Sequence, residues 1–219
     1  MPPCIEYILF DLDNTLYSSR WGLEQEVSIL ANHYIAEFLS IPLEQATGLR
    51  KERVIGGGYG TTLEWLCAEH GLAGTEIDNY YAYIHPENEA DILPPDPVLR
   101  DLLLSLSSRT IPLGILTNSP LEHAQRIIKK LRVDDLFLAI FDIRRNGYKG
   151  KPKADVYQKV LKELGVTASS CLFVDDDPRY IQGYRAVGGM GVLYDENNRY
   201  GEFPGPRIQK LEEINGFLL

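Results

Sequence analysis

The chain has 219 residues, 44% hydrophobic and 24% charged, the usual mixture of a soluble globular protein that buries a core without disulfide or metal staples. Lys and Arg number 22 against 31 Asp and Glu, a net charge of −9, which argues against a nucleic acid or an anionic membrane as partner. Three scattered cysteines, no apolar run long enough to span a membrane, and no basic N-terminus ahead of an apolar stretch point to a cytoplasmic protein with reduced thiols.

In chain order, Tyr7-Ile8-Leu9-Phe10 has the length and the aromatic and β-branched content of a buried strand, and it ends at Asp11. From about residue 16 to 93 the periodicity is helical. Leu23, Val27, Leu30, Tyr34 and Phe38 keep a three-four spacing, residues 56–60 form a glycine-rich break, and further helices are expected over 62–69 and 80–84. Residues 91–97 read as a proline-stiffened boundary. Beyond it, strands expected at 111–116, 138–143, 171–174 and 191–194 alternate with helices at 98–106, 121–131 and 156–164. The pattern predicts an α/β fold: a doubly wound, Rossmann-like parallel sheet with helices on both faces. An α-helical cap is inserted after the first strand. The expected division is a core of residues 1–16 and 94–219 and a cap of 17–93. Ligands bind beyond the carboxyl ends of such strands, so the insertion roofs the site.

Four polar clusters fall at those strand ends or at the helix starts that follow: Asp11-Leu12-Asp13-Asn14-Thr15, Thr117-Asn118, Lys151-Pro152 and Asp175-Asp176-Asp177. Singly each is ordinary, since Asp after a strand forms turns or caps helices and Lys-Pro suits a first helical turn. Together they gather carboxylates from different strands, which repel one another unless a cation lies between them. Oxygen ligands of this kind suit Mg²⁺, which keeps several waters and takes substrate phosphate as partner. One Lys and one Thr hydroxyl complete a phosphate cradle. One carboxylate can attack phosphorus to give an aspartyl phosphate. Another, two residues on, can protonate the leaving alkoxide and then activate water.

The run from Asp11 to Tyr17, with Thr117, Lys151-Pro152 and Asp175-Asp176, resembles the haloacid dehalogenase-like phosphohydrolase superfamily over about residues 5–195. Tyr59-Gly60-Thr61-Thr62-Leu63, Tyr83-Ile84-His85, the stretch from Pro95 to Arg100, and Thr117-Asn118-Ser119-Pro120 with His123-Ala124 are similar to its pyrimidine 5′-nucleotidase branch. The resemblance implies Asp11 as nucleophile and Asp13 as acid/base. It implies Mg²⁺ on the Asp11 side chain, the Asp13 backbone carbonyl and Asp176, with Asp175 close by or acting through water. Thr117 and the Asn118 backbone would hold phosphoryl oxygens, and Lys151 would neutralise nucleophile and phosphate. The implied activity is a Mg²⁺-dependent phosphomonoesterase acting through an aspartyl phosphate on a small phosphorylated metabolite, a pyrimidine nucleoside 5′-monophosphate first. The alternative is a sugar-phosphate phosphatase or phosphomutase. Tyr59, Thr61 and His85 are the cap residues expected at the substrate. A phospho-receiver module is disfavoured by the order of the clusters, and an inactive binding protein by their completeness.

The chain departs from the branch at Asp177 (usually serine), Tyr180 (asparagine) and Trp65 (glycine). At Asp177 a cap on the next helix is expected ahead of a change in metal affinity, and Trp65 stands where a change of residue can reshape the substrate pocket. His33, His70 and His123 lie in helical patterns and are expected to pack or face solvent. Lys149 and Lys153 are expected in solvent, and Tyr80, Tyr81 and Tyr83 on a helix-packing face.

Overall fold

Residues 4–56 and 58–218 are described by a computed structural model. Strand β1 (Tyr7–Phe10) is buried at every position. Ile8 and Phe10 enter one apolar layer, Tyr7 and Leu9 the other, the two-residue alternation of a strand covered on both sides. Five further strands follow: β2 (Leu113–Leu116), β3 (Ala139–Phe141), β4 (Cys171–Asp175), β5 (Met190–Tyr194) and β6 (Arg207–Ile208). They pair in the order β3-β2-β1-β4-β5-β6, every pair parallel. This is the doubly wound arrangement that the alternation predicts. Expected strands 111–116 and 138–143 are shorter than their apolar runs. The two-residue β6 carries no sequence signal of its own.

After the boundary, helices α5 (Pro97–Ser107) and α6 (Leu121–Lys130) pack on the face of Ile8 and Phe10. Helices α7 (Ala154–Leu164) and α8 (Pro178–Ala186) cover the face of Tyr7 and Leu9. Ahead of them, between β1 and α5, lie four more helices. For these the labels follow the chain: α1 (Leu23–Leu39), α2 (Leu43–Arg50), α3 (Thr62–His70) and α4 (Thr75–Ile84). They enclose their own apolar cluster, with Ala31, Ile35, Leu63, Trp65 and Leu66 at its centre. The buried line of α1 runs through Leu23, Ala31 and Ile35. The expected stripe of Val27, Leu30, Tyr34 and Phe38 flanks it, half-buried, because an alanine scores weakly in an apolar pattern yet fits where helices approach closely. Helix α2 escaped the pattern because it buries Ala46 alone. Among the described residues no helix is long and apolar enough to cross a membrane.

Candidate active site

The register of the sheet brings the acidic clusters together. Phe10 lies beside Val174, and the Asp11 N–H donates to the Val174 carbonyl at 2.8 Å. Asp11 and Asp175 therefore emerge side by side from the carboxyl ends of β1 and β4, at the edge where doubly wound sheets place ligands. Between them sits the Lys151 ammonium, 2.5 Å from Asp11 Oδ1 and 2.6 Å from Asp175 Oδ2. Lys151 is 1% exposed. It was expected to open a helix, but it lies in the turn before α7, whose N-cap is Lys153.

Asn118 holds that turn. Its Oδ1 accepts from the Lys151 N–H at 2.7 Å, while its Nδ2 donates to the Lys151 carbonyl and to the Tyr180 hydroxyl, each at 3.2 Å. With the side chain so engaged, only the Asn118 backbone is left to face a ligand. Thr117, at the end of β2, is buried and its Oγ1 accepts from Ser119 N at 3.0 Å. Tyr180 places its ring 4.8 Å from Lys151 Nζ, a cation–π contact that an asparagine would not supply.

Carboxylate oxygens of Asp11, Asp175 and Asp176 lie within 4.8 Å of one another. Burial pushes the Asp11 carboxyl up to about 6 against the pull of Lys151. Burial, with Asp11 and Glu24 nearby, pushes Asp176 to about 8, and burial lifts Asp175 well above the carboxylate range. Burial would lower the Lys151 ammonium, but Asp11 and Asp175 hold it well above its usual value. Two buried carboxylates and a half-buried third against one ammonium leave a surplus of negative charge that a small hard cation relieves, so the residues present fit Mg²⁺.

Asp13 stands apart from this group. Its Oδ1 accepts from the Tyr17 hydroxyl at 2.7 Å and lies 2.7 Å from His123 Nε2, and its Oδ2 accepts from the Ser119 hydroxyl at 2.8 Å. The other nitrogen of His123 is 2.9 Å from Glu89, which also meets His85 Nδ1 at 2.9 Å and Arg126 Nε at 3.0 Å. Burial alone would raise Asp13, but the His123 cation holds it below the usual carboxylate range. Burial would lower His123, but Asp13 and Glu89 raise it to about 9. Glu89 is drawn down to about 2 by the same contacts, against burial. The expectation that His123 merely packs or faces solvent is corrected here: it is fully buried against the proposed acid/base. Its place in a motif similar to a known branch was the one signal that could have found it.

A cavity of about 390 Å³ opens over these groups, with the helical insertion as roof. Thr61 and His85 line it. Thr61 also caps α3, accepting from Glu64 N at 3.1 Å, and His85 spends Nδ1 on Glu89. Tyr59 is outside the lining, its hydroxyl donating to Glu69 at 3.1 Å. Trp65 does not reshape the pocket: it is fully buried in the insertion's core, and its indole N–H donates to Glu69 at 3.0 Å. Asp177 caps α8 as expected, accepting from Arg179 N at 2.8 Å. Tyr80 and Tyr81 pack among the helices and also reach the cavity. Lys149 is exposed and pairs with Asp155 at 2.6 Å, whereas Lys153 is half-buried and pairs with Glu64 at 2.8 Å. Glu64 ties roof to floor, accepting from Gly60 N at 2.9 Å and from Gly150 N at 3.0 Å.

This strand order sets paired carboxylates around one buried ammonium at its switch point, and the family and relatives that the chain matches make it a hydrolase acting on phosphate monoesters. The chain belongs to the haloacid dehalogenase-like hydrolases, whose family profile matches residues 5–188. It is 28% identical over 209 residues to a phosphoglycolate phosphatase of Yersinia pestis, covering 90% of this chain and 84% of that one. It is 31% identical over 211 residues to a phosphatase of Mycobacterium tuberculosis, covering 89% of each. Its fold is shared with a HAD-hydrolase of Bacillus subtilis whose crystals hold magnesium, with a TM-score of 0.64, 21% identity and coverage of 98% and 99%.

Proposed function

We propose that the chain is a Mg²⁺-dependent phosphomonoesterase for a small phosphorylated metabolite, with Asp11 as nucleophile. The observation that carries this reading is the Lys151 ammonium held between Asp11 and Asp175 at 2.5 and 2.6 Å, with Asp176 alongside. Asp11, the Asp13 backbone carbonyl and Asp176 would hold the metal with Asp175 beside them. The bound cation would supply charge neutralisation of the carboxylates and the phosphoryl oxygens. Asp11 attacks phosphorus as the bond to the leaving alcohol breaks, and Asp13 passes that alcohol a proton drawn from the His123 imidazolium 2.7 Å away. Asp13 then takes a proton from the water that hydrolyses the aspartyl phosphate. Thr117 and the Asn118 backbone hold the phosphoryl oxygens, and Lys151 offsets their charge.

Residues 17–93 serve as the cap and residues 1–16 and 94–219 as the core, in a protein of the cytoplasm. A sugar phosphate or a small phosphorylated acid is the favoured substrate over a pyrimidine nucleotide. Relatives at 28% identity are phosphoglycolate phosphatases. Tyr59, a cap residue expected at the substrate and an aromatic ring that could stack on a base, is turned to Glu69. The test is turnover of p-nitrophenyl phosphate with Mg²⁺, its loss on chelation, and its loss in Asp11→Asn. Sizeable turnover by Asp11→Asn would overturn the assignment.

A further inference from the structure

One cation in the roof has no part in the chemistry above. Arg50 closes α2, half-buried, and lines the same cavity as Asp11 and Lys151. The other half-buried arginines, Arg53, Arg100, Arg126, Arg144 and Arg207, each sit against a carboxylate. Arg50 has only hydroxyls: among the described residues its Nε donates to Thr62 Oγ1 at 2.9 Å and its Nη2 to Ser28 Oγ at 3.3 Å. Glu24 lines the cavity too and its charge acts on Arg50, but the two form no salt bridge, the Glu24 carboxylate being bonded by Asn14 Nδ2. A guanidinium has five N–H donors in a planar fork, suited to two oxygens of one anion. With two of them taken, Arg50 keeps donors for a ligand, and Ser28, Thr62 and Tyr80 around it add hydroxyls to the same wall.

The floor of the cavity already supplies what a phosphoryl group needs. A half-buried cation in the roof, without a salt-bridge partner among the described residues, therefore calls for negative charge on the other end of the substrate. We propose that Arg50, with Ser28 and Thr62, is a specificity determinant for a second anionic group, a carboxylate or a second phosphate, on the alcohol side of the scissile ester. The assignment rests on the phosphomonoesterase reading and narrows its substrates to phosphate esters whose leaving alcohol is itself an anion. Uncharged sugar and alcohol phosphates are then poor substrates, because they cover the half-buried guanidinium without giving it an ion-pair partner.

The test compares matched pairs: 2-phosphoglycolate with its neutral amide, and propane-1,3-diol bisphosphate with the monophosphate. Wild-type enzyme with Mg²⁺ is expected to prefer the charged member of one pair by about 10- to 100-fold in kcat/KM, the range of a hydrogen bond to a charged group. The pair that discriminates tells carboxylate from phosphate. Arg50→Gln should bring that ratio close to one, chiefly through KM, and Arg50→Lys should keep part of it, having the charge without the fork. Equal rates within both pairs, or a ratio that survives Arg50→Gln, overturns the proposal while turnover of p-nitrophenyl phosphate leaves the phosphatase reading standing. If no ester is turned over, that reading fails, and calorimetry with 2-phosphoglycolate and the bisphosphate decides Arg50 by itself. Binding of either weakened about tenfold or more in a folded Arg50→Gln protein supports the role, and unchanged or absent binding of both removes it.

Discussion

Asp13 receives contacts from three sources, Tyr17 four residues on, and Ser119 and His123 from beyond β2. Such a carboxylate has little rotational freedom, and His123 is itself held by Glu89. His123→Leu removes the cation beside the proposed acid and leaves its Oδ1 with the Tyr17 hydroxyl. Its loss in kcat/KM should be about tenfold greater for an alkyl phosphate than for p-nitrophenyl phosphate, since a nitrophenolate departs without a proton. His123→Gln, which still donates a hydrogen bond, should recover part of the difference. Equal losses on both substrates would reduce His123 to packing. The same contact has a stability signature. His123 stands at about 9 in the folded chain against 6.5 for the free side chain. Its contribution is whole below about pH 6.5 and is lost as pH rises through 9. Glu89 stands at about 2 against 4.5, so its share is whole above about pH 4.5 and fades as pH falls towards 2. With saturating Mg²⁺, the Tm gap between wild type and His123→Leu should narrow between pH 6 and pH 9.5, roughly the interval that the two values for the imidazole define. A gap that stays level across this interval contradicts the ion pair.

Where β4 gives way to α8, three successive aspartates have three different jobs. Asp175 ends the strand against Lys151, Asp176 enters the carboxylate group, and Asp177 caps the helix. Asp176→Ala should raise the Mg²⁺ concentration needed for half-maximal activity more than Asp177→Ala does. Asp177→Ala should instead cost about 1 kcal/mol of stability, the usual worth of a helix cap. The reverse order of metal effects would shift the assignment by one residue. The turn that carries Lys151 has a similar division of labour with the roof. A Cβ on Gly150 would lie 2.6 Å from Thr61 Cγ2 and 3.0 Å from Asn118 Oδ1. Gly150→Ala must therefore push α3 or the Asn118 clamp aside. Overpacking of this kind costs about 1–3 kcal/mol, and activity should fall with it because Asn118 holds Lys151 in place. Full activity in Gly150→Ala would show that roof and floor need not meet so closely.

Over the molecule as a whole, the site concentrates like charge at the centre of the sheet, and the fold accepts that cost where it binds its ligands. Mg²⁺ should then raise Tm as well as activate. A ligand at 100 times its Kd stabilises by about 2.7 kcal/mol, and Asp176→Ala should lose most of that gain. Melting curves with and without chelator check this directly, and coincident curves would argue against a metal among these carboxylates. The sheet, the helical insertion after β1 and the four polar clusters were legible in the sequence because each is written locally. A run of four apolar residues with aromatic and β-branched members, closed by Asp11, reads as a buried strand and its end, and the alternation that follows admits few topologies. Other features had no local signature. Asn118 shows itself as a clamp only across the gap to Lys151, 33 residues away, and His123 as a site residue only opposite Asp13, 110 residues away. Tyr59 and Arg50 changed places as candidate substrate contacts for the same reason. Residue type and helical spacing determine which faces are buried. Which partner a buried polar group meets is decided only when distant segments pack, because the hydrogen bond or ion pair that gives it a role exists across the fold and not along the chain.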